Sequence, residues 1–310
     1  MMGTGPFAVP TFRLLCSDPN SNVVLLISQP PREVKGRKQP DSPTVVAAGE
    51  LGIPVWTPDR INYHVQQLRQ YEPDLLVVCD FGQILSPEVL ACARYGGLNL
   101  HGSLLPKYRG AAPVNMAIWN GDAETGNTVI HLTPQLDAGP IVAQNRTVIG
   151  PDETPVELEP RLSEMGAPLV LDVIRKIQAG ELVKELQIEG EVTKAPRLKK
   201  SDGQIDWSKT ALQIRLQIRA LEPWPQTFFF WTRKGEPLRL QPRSLPTILP
   251  EDAFEKSGTP GTILEVSDRL VVETGNGFLA FSRIQPSGKK EMDIRSFALG
   301  YQIKPGEGLK

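Results

Sequence analysis

Asn99, His101 and Asp137 are the residues whose types and spacing could do chemistry. An amide, an imidazole and a carboxylate suffice for acid/base transfer through a charged tetrahedral intermediate. The amide donates to a developing oxyanion, the imidazole moves a proton, and the carboxylate orients the imidazole and stabilises its charged form. Asn99 and His101 close a short apolar run, Gly97–His101, and side chains two apart on a strand share a face. Ser103-Leu104-Leu105-Pro106 and Arg109-Gly110-Ala111-Ala112-Pro113 follow, a stiff loop ending on a proline suited to a helix first turn. Asp137 lies in a Leu-Asp-Ala-Gly turn and alone reads as a turn residue. A histidine that needs an orienting carboxylate tips it to function. His131 reads as structural and His64 as a surface helix residue.

The elements that must position this set alternate along the first 145 residues. Residues 22–28 (NVVLLIS) and 75–79 (LLVVC) are continuous apolar runs, the pattern of strands buried on both faces. Helical patterns lie at 9–16, 43–51 and 63–71, and further strands at 97–101 and 128–132. This alternation predicts an α/β fold with a doubly wound, mostly parallel, Rossmann-like sheet. Ligands in such sheets gather at the C-terminal ends of the strands, where Asn99 and His101 fall. Met1-Met2 reads as the tail of a central strand that begins upstream. Gly3-Thr4-Gly5-Pro6-Phe7-Ala8 fits a dinucleotide turn, but the second strand ends Ser28-Gln29-Pro30-Pro31 with no acid for a ribose, so it reads as a packing turn.

A long helix is expected at 153–179, interrupted near Gly166-Ala167-Pro168, and residues 180–200 read as a linker. Beyond it come one amphipathic helix at 211–221 and short runs at 227–231, 238–242, 261–266, 270–273 and 277–284. Their turn signals predict a small antiparallel barrel. Trp224, between Pro223 and Pro225, reads as a core residue.

Composition is that of an ordinary globular chain of 310 residues, 40% hydrophobic and 22% charged. No stretch is apolar enough to span a bilayer, and the first residues lack a signal peptide pattern. Three widely spaced cysteines, Cys16, Cys79 and Cys92, propose neither a disulfide framework nor a zinc site, and a reducing cytoplasm is expected. The net charge of −1 hides an uneven distribution. Residues 194–243 carry eleven basic side chains against four acidic, Asp202, Asp206, Glu222 and Glu236. Arg32, Lys35, Arg37 and Lys38 form a second basic group in a loop of turn formers.

Several segments together resemble the methionyl-tRNA formyltransferases, over nearly the whole chain. They are GTGPFAVPTF from Gly3, FGQILSPEVL from Phe81, NLHGSLLPKYRGAAPV from Asn99 and LDAGPIVAQ from Leu136. KSDGQIDWSKTALQIRLQIRALEPWP from Lys200 and the closing SGKKEMDIRSFALGYQIKPGEGL match the family's tRNA-binding part. Phe81 stands where the family often carries an aromatic hydroxyl. The resemblance implies a formyltransferase catalytic domain at 1–180, a linker at 181–200 and an OB-like tRNA-binding domain at 201–310. It implies formyl transfer from 10-formyltetrahydrofolate to the α-amine of methionyl-initiator tRNA, by a monomer, with no metal and no membrane. Asn99, His101 and Asp137 become catalytic. Ser103, Leu104, Leu105 and Pro106, with Phe81, Gly82, Gln83 and Ile84, become the folate side. Arg37, flanked by Lys35 and Lys38, would enter the acceptor stem, while Arg197, Lys199 and Lys200 hold its phosphates. Alternatives are a formyltransferase acting on another amine, such as a nucleotide sugar or glycinamide ribonucleotide, a 10-formyltetrahydrofolate hydrolase, and an inactive tRNA-binding module.

Overall fold

The apolar runs of the N-terminal half assemble into one seven-stranded sheet. Its strands are β1 (Met2–Gly3), β2 (Leu26–Ile27), β5 (Val55–Trp56), β6 (Leu76–Cys79), β7 (Gly97–His101), β9 (Glu124–His131) and β10 (Ile141–Val148). The hairpin β3 (Glu33–Val34) with β4 (Arg37–Lys38) and the short β8 (Arg109–Gly110) lie outside it. The computed structural model describes residues 1–31, 33–34 and 37–310, with side chains described except at 33, 34, 37 and 38. Contacts divide the chain into two units. The first is Met1–Ala117, Ala123–Ile149 and Glu157–Arg197, and the second is Ile118–Asp122, Gly150–Val156 and Leu198–Lys310.

In the sheet the order is β10-β9-β7-β6-β1-β2-β5. Strands β5, β2, β1, β6 and β7 run parallel, and β9 and β10 extend the edge antiparallel. From β1 the chain winds outward to β2 and β5, then returns to the other side of β1 for β6 and β7. The order therefore reverses between β1 and β6, and a crevice opens there beyond the strand ends. One face buries Met2, Ile27, Leu76 and Val78 against Ile61, Leu68 and Val89, the last two from α3 (Val65–Arg69) and α4 (Pro87–Leu90). On the other face Leu26 packs with Phe12 of α1 (Val9–Ser17) and with Ala47 and Ala48 of α2 (Pro43–Leu51). Burial on both faces is why these strands read as unbroken apolar runs.

After α5 (Pro113–Trp119), helix α6 runs from Pro155 to Ala179 without the break expected near Gly166. Its two internal prolines, Pro160 and Pro168, are exposed, as are Val156 and Glu164, whose carbonyls lose their helical partners to the rings. Water can satisfy both carbonyls, so neither proline ends the helix. Within the stretch expected as a linker, β11 (Lys194–Ala195) pairs in parallel with β8.

The second unit holds two four-stranded antiparallel sheets. One is β12 (Phe229–Arg233), β13 (Glu236–Pro242), β18 (Arg283–Pro286) and β19 (Met292–Asp293). The other is β14 (Thr247–Leu249), β17 (Phe278–Phe281), β16 (Leu270–Glu273) and β15 (Ile263–Val266). The single run expected at 277–284 is thus two strands in different sheets. Phe229, Leu240, Ile263, Val272, Phe281 and Ile284 from both sheets share one core with Ile214 and Ile218 of α7 (Ala211–Ala220) and Phe297 of α8 (Ile294–Tyr301). Trp224 corrects the sequence reading: it is 49% exposed, not a core residue. It sits in the proline-flanked turn between α7 and β12, and the adjacent core positions are taken by Leu221 and Phe229, both fully buried.

Candidate active site

Strand β7 lies between β6 and β9, pairing Asn99 with Val78 on one side and Ile130 on the other. Asn99 and His101 lie two apart at its C-terminal end, as the alternation of a strand requires. Both line a cavity of about 410 Å³ beyond the strand ends. Asp137 lines it too, with Asp80 and the loop Phe81–Leu85 after β6, residues 110–115 from the end of β8 onward, the 132–136 turn, and Glu159 of α6. Its size is that of a small-molecule site.

Asp137 has a left-handed backbone, φ 50°, a conformation that aspartate tolerates better than most residues. Its Oδ2 accepts the Gly110 N–H at 2.9 Å and lies 3.7 Å from His101 Nδ1, while Oδ1 is 3.5 Å from the Asn99 Nδ2 donor. Gly110 itself adopts φ 131°, and a Cβ there would lie 2.3 Å from the Ala195 carbonyl oxygen. Only glycine brings that N–H under the carboxylate. His101 and Asp137 are both buried. His101 Nε2 is 2.9 Å from the Tyr108 carbonyl, an acceptor only, so Nε2 carries a proton and donates it. The remaining nitrogen, Nδ1, faces Asp137. A proton gained or lost by this imidazole therefore passes through Nδ1, and the imidazolium form meets a carboxylate there.

Two carboxyl groups that sequence reasoning missed share the cavity, Asp80 and Glu159. Burial among the cavity walls pushes the Asp80 carboxyl up to about 6, against the pull of a hydrogen bond from the Gly5 backbone. Burial, and then the neighbouring Asp80 charge, raise Glu159. A Cβ on Gly5 would lie only 1.8 Å from Asp80 Oδ2, so the second glycine of the Gly3-Thr4-Gly5 turn makes room for this side chain. The seat at the first helix start, where a dinucleotide fold holds pyrophosphate, is filled here by the chain's own carboxylate. An acid directly after a buried strand was the available signal for Asp80. Glu159 offered none beyond its place on an amphipathic helix.

The residues expected on the folate side divide. Phe81, Gly82, Gln83 and Ile84 line the cavity, with Phe81 also packed into the core. Gln83 braces this loop, its Oε1 accepting the Ile61 N–H at 2.9 Å. Ser103, Leu104, Leu105 and Pro106 do not line it. They are tied to β9 and β10 instead: Leu105 N donates to Thr128 Oγ1 at 3.0 Å, Thr128 Oγ1 donates to the Ser103 carbonyl at 2.6 Å, and Gln144 Nε2 donates to the Leu105 carbonyl at 2.9 Å; within the loop, Ser103 Oγ donates to the Lys107 carbonyl at 2.7 Å. This segment shapes the turn that presents the Tyr108 carbonyl to His101. His131 ends β9 with Nε2 3.1 Å from the Tyr95 carbonyl, and His64 is half-buried against Trp56. Arg197, Lys199 and Lys200 are exposed. Arg32 and Lys35 lie outside the described residues, as do the side chains of Arg37 and Lys38.

Comparison with known proteins gives the family. The family described as Formyl transferase matches residues 2–174, and its C-terminal domain, Formyl transferase, C-terminal domain, matches residues 197–302. The chain belongs to the formyl transferase family. Among curated relatives, the methionyl-tRNA formyltransferase of Rhodopirellula baltica is 42% identical over 323 residues, covering all of this chain and 95% of the relative. That of Desulfotalea psychrophila is 38% identical, covering 100% and 94%. Among solved structures, the N-formyltransferase of Helicobacter canadensis in complex with folinic acid and dTDP-3-aminofucose superposes with a TM-score of 0.64 at 17% identity, covering 94% of this chain and 98% of that one. A 4-N formyltransferase of Francisella tularensis gives 0.60 at 18% identity, covering 77% and 93%. At these identities the structural likeness speaks for the fold.

Proposed function

We propose that this chain transfers the formyl group of 10-formyltetrahydrofolate to the α-amine of methionyl-initiator tRNA, giving the formylated methionyl-tRNA that starts translation. The observation that carries the reading is the convergence of Asn99, His101 and Asp137 on one cavity, in a chain whose curated relatives with this activity match end to end. The amine nitrogen attacks the formyl carbon, a C–N bond forms, and the carbonyl electron pair moves onto oxygen. Asn99 donates to that oxyanion. His101 takes the ammonium proton at Nδ1 and returns it to the folate nitrogen as the old C–N bond breaks. Asp137 stabilises the imidazolium between the two transfers. The loop of Phe81, Gly82, Gln83 and Ile84 meets the folate, and the 103–106 segment acts behind the site.

The acceptor reading assigns the exposed Arg197, Lys199 and Lys200 to tRNA phosphates, and Arg37, with Lys35 and Lys38, to the acceptor stem. It takes residues 1–180 as the catalytic domain, 181–200 as linker and 201–310 as an OB-like tRNA-binding domain. The enzyme works as a monomer in the cytoplasm; among the described residues no helix is long and apolar enough to cross a membrane. The test is formyl transfer to charged initiator tRNA, with charged elongator tRNA as competitor and His101→Ala as control. Transfer to the initiator alone, abolished in the variant, is the expected result. A folded protein that consumes the donor with water as sole acceptor would overturn it in favour of a hydrolase.

A further inference from the structure

Between α6 and β11 the chain runs as an irregular segment with one 3-10 turn at Glu189–Glu191, and its burial pattern around Gln187 is inverted. Leu186 and Ile188 are 79% and 60% exposed, whereas the polar Gln187 between them is half-buried. Its amide is used on both sides. Nε2 donates to the Asp137 carbonyl at 2.8 Å and to the Gly139 carbonyl at 2.7 Å. Oε1 accepts from Arg109 Nε at 3.0 Å. The opposite amide orientation would set an oxygen against two carbonyls and a nitrogen against a guanidinium, so the network fixes this one.

Arg109 is held in turn. Its Nη2 lies 2.9 Å from Glu189 Oε1, and its backbone N donates to the Thr193 carbonyl at 2.9 Å. The same strip touches the rest of the loop that faces the imidazole: Tyr108 N donates to Thr193 Oγ1 at 2.9 Å, and Ala111 N to the Ala195 carbonyl at 2.7 Å. One segment, residues 187–195, thus grips both loops, the one bearing Asp137 and the one bearing the Tyr108 carbonyl and the Gly110 N–H.

Asp137 needs that grip. Its left-handed backbone is not favoured locally, and its carboxylate must meet His101 Nδ1 from a turn with no regular ladder of its own. Two hydrogen bonds from one planar amide, on carbonyls two residues apart, fix the rotation of that turn about the chain axis. We propose that Gln187, oriented by Arg109, is a positioning residue that sets the Asp137 carboxylate against His101. The inference rests on the reading of Asp137 as a member of the catalytic set. Gln187 touches neither reacting atom and acts only through Asp137.

The test is single-turnover formyl transfer by the full chain with Gln187→Glu, Gln187→Met and Asp137→Ala, and with each Gln187 change combined with Asp137→Ala. An ionised Glu keeps the shape but cannot donate to a carbonyl, and Met keeps the volume with no hydrogen-bonding amide. Both are expected to lower the transfer rate between about 10- and 100-fold, the effect of misplacing a positioned group by about 1 Å. The KM for the formyl donor should stay within about twofold, and the loss of rate should remain at temperatures well below the melting transition of each variant, a split that a purely structural role would not give. In the Asp137→Ala background the Gln187 changes should cost nothing further, because they act through the group already removed. A near-parental rate in both Gln187 variants, a loss confined to KM, or the same fold-loss on top of Asp137→Ala would each overturn the positioning role. A full rate in Asp137→Ala would overturn the catalytic reading of Asp137, and the positioning role with it, by that result alone.

Discussion

His101 is held at both ring nitrogens, and that is what makes its chemistry definite. Nε2 keeps its proton in a hydrogen bond to the Tyr108 carbonyl, so only Nδ1 can trade one with a reacting amine. His101→Ala should abolish transfer while leaving the donor bound. Asn99→Ala removes an oxyanion donor and should lower kcat by roughly 100- to 1000-fold, about 3–4 kcal/mol, with little change in donor KM; a change in KM alone would take Asn99 out of that role. Asp80 lends itself to a different measurement. An acid whose folded pKa is raised binds its proton more tightly in the folded state. Its stabilisation is complete below the ordinary value of 3.8 and is lost as pH rises through about 6. Asp80→Asn keeps an acceptor for Gly5 and has no charge to desolvate. Its melting temperature should therefore gain on the parent chain between about pH 4 and pH 7. A gap independent of pH would mean that the cavity does not perturb this carboxyl.

At the scale of elements, the site depends on two short parallel strands that pattern alone does not reveal. Strand β8 presents Gly110 to Asp137 only because β11 runs beside it. Gly110→Ala would set a methyl group 2.3 Å from the Ala195 carbonyl oxygen, a backbone atom with nowhere to go, at a positive φ. It should destabilise the chain by about 1–3 kcal/mol and lower kcat beyond what the melting curve explains. Elements legible in sequence were those whose pattern is local. Strand β7 falls at Gly97–His101, as its apolar run and terminal polar pair indicate, because each side chain's face is set by its neighbours in sequence. Residue type alone marks Gly166-Ala167-Pro168 as an interruption of α6, and the helix runs through it. The harmlessness of its prolines depends on facing solvent, which is a tertiary property. Trp224 failed for the related reason that a large indole is buried only where a vacancy exists.

Over the whole molecule, charge is unevenly placed in a chain whose net charge is −1. If exposed Arg197, Lys199 and Lys200 neutralise phosphates, the acceptor KM should rise steeply with salt while the donor KM barely moves. Replacing Lys199 and Lys200 by alanine should flatten the logarithmic slope by roughly 0.7–0.9 per lost phosphate contact. An unchanged slope would place the acceptor elsewhere.

The sequence by itself determined the sheet class and the two-part organisation, and it put Asn99, His101 and Asp137 forward as one candidate set, because strand alternation, turn chemistry and residue type are local properties that survive without coordinates. Only the tertiary structure decided which nitrogen of His101 faces the Tyr108 carbonyl and which faces Asp137. It also decided that Asp80 and Glu159 share the cavity, that residues 103–106 stand behind it, and that Gln187 reaches Asp137 across 50 positions of chain. Those contacts join segments remote in sequence, and their energies exist only once the backbone has closed the distance.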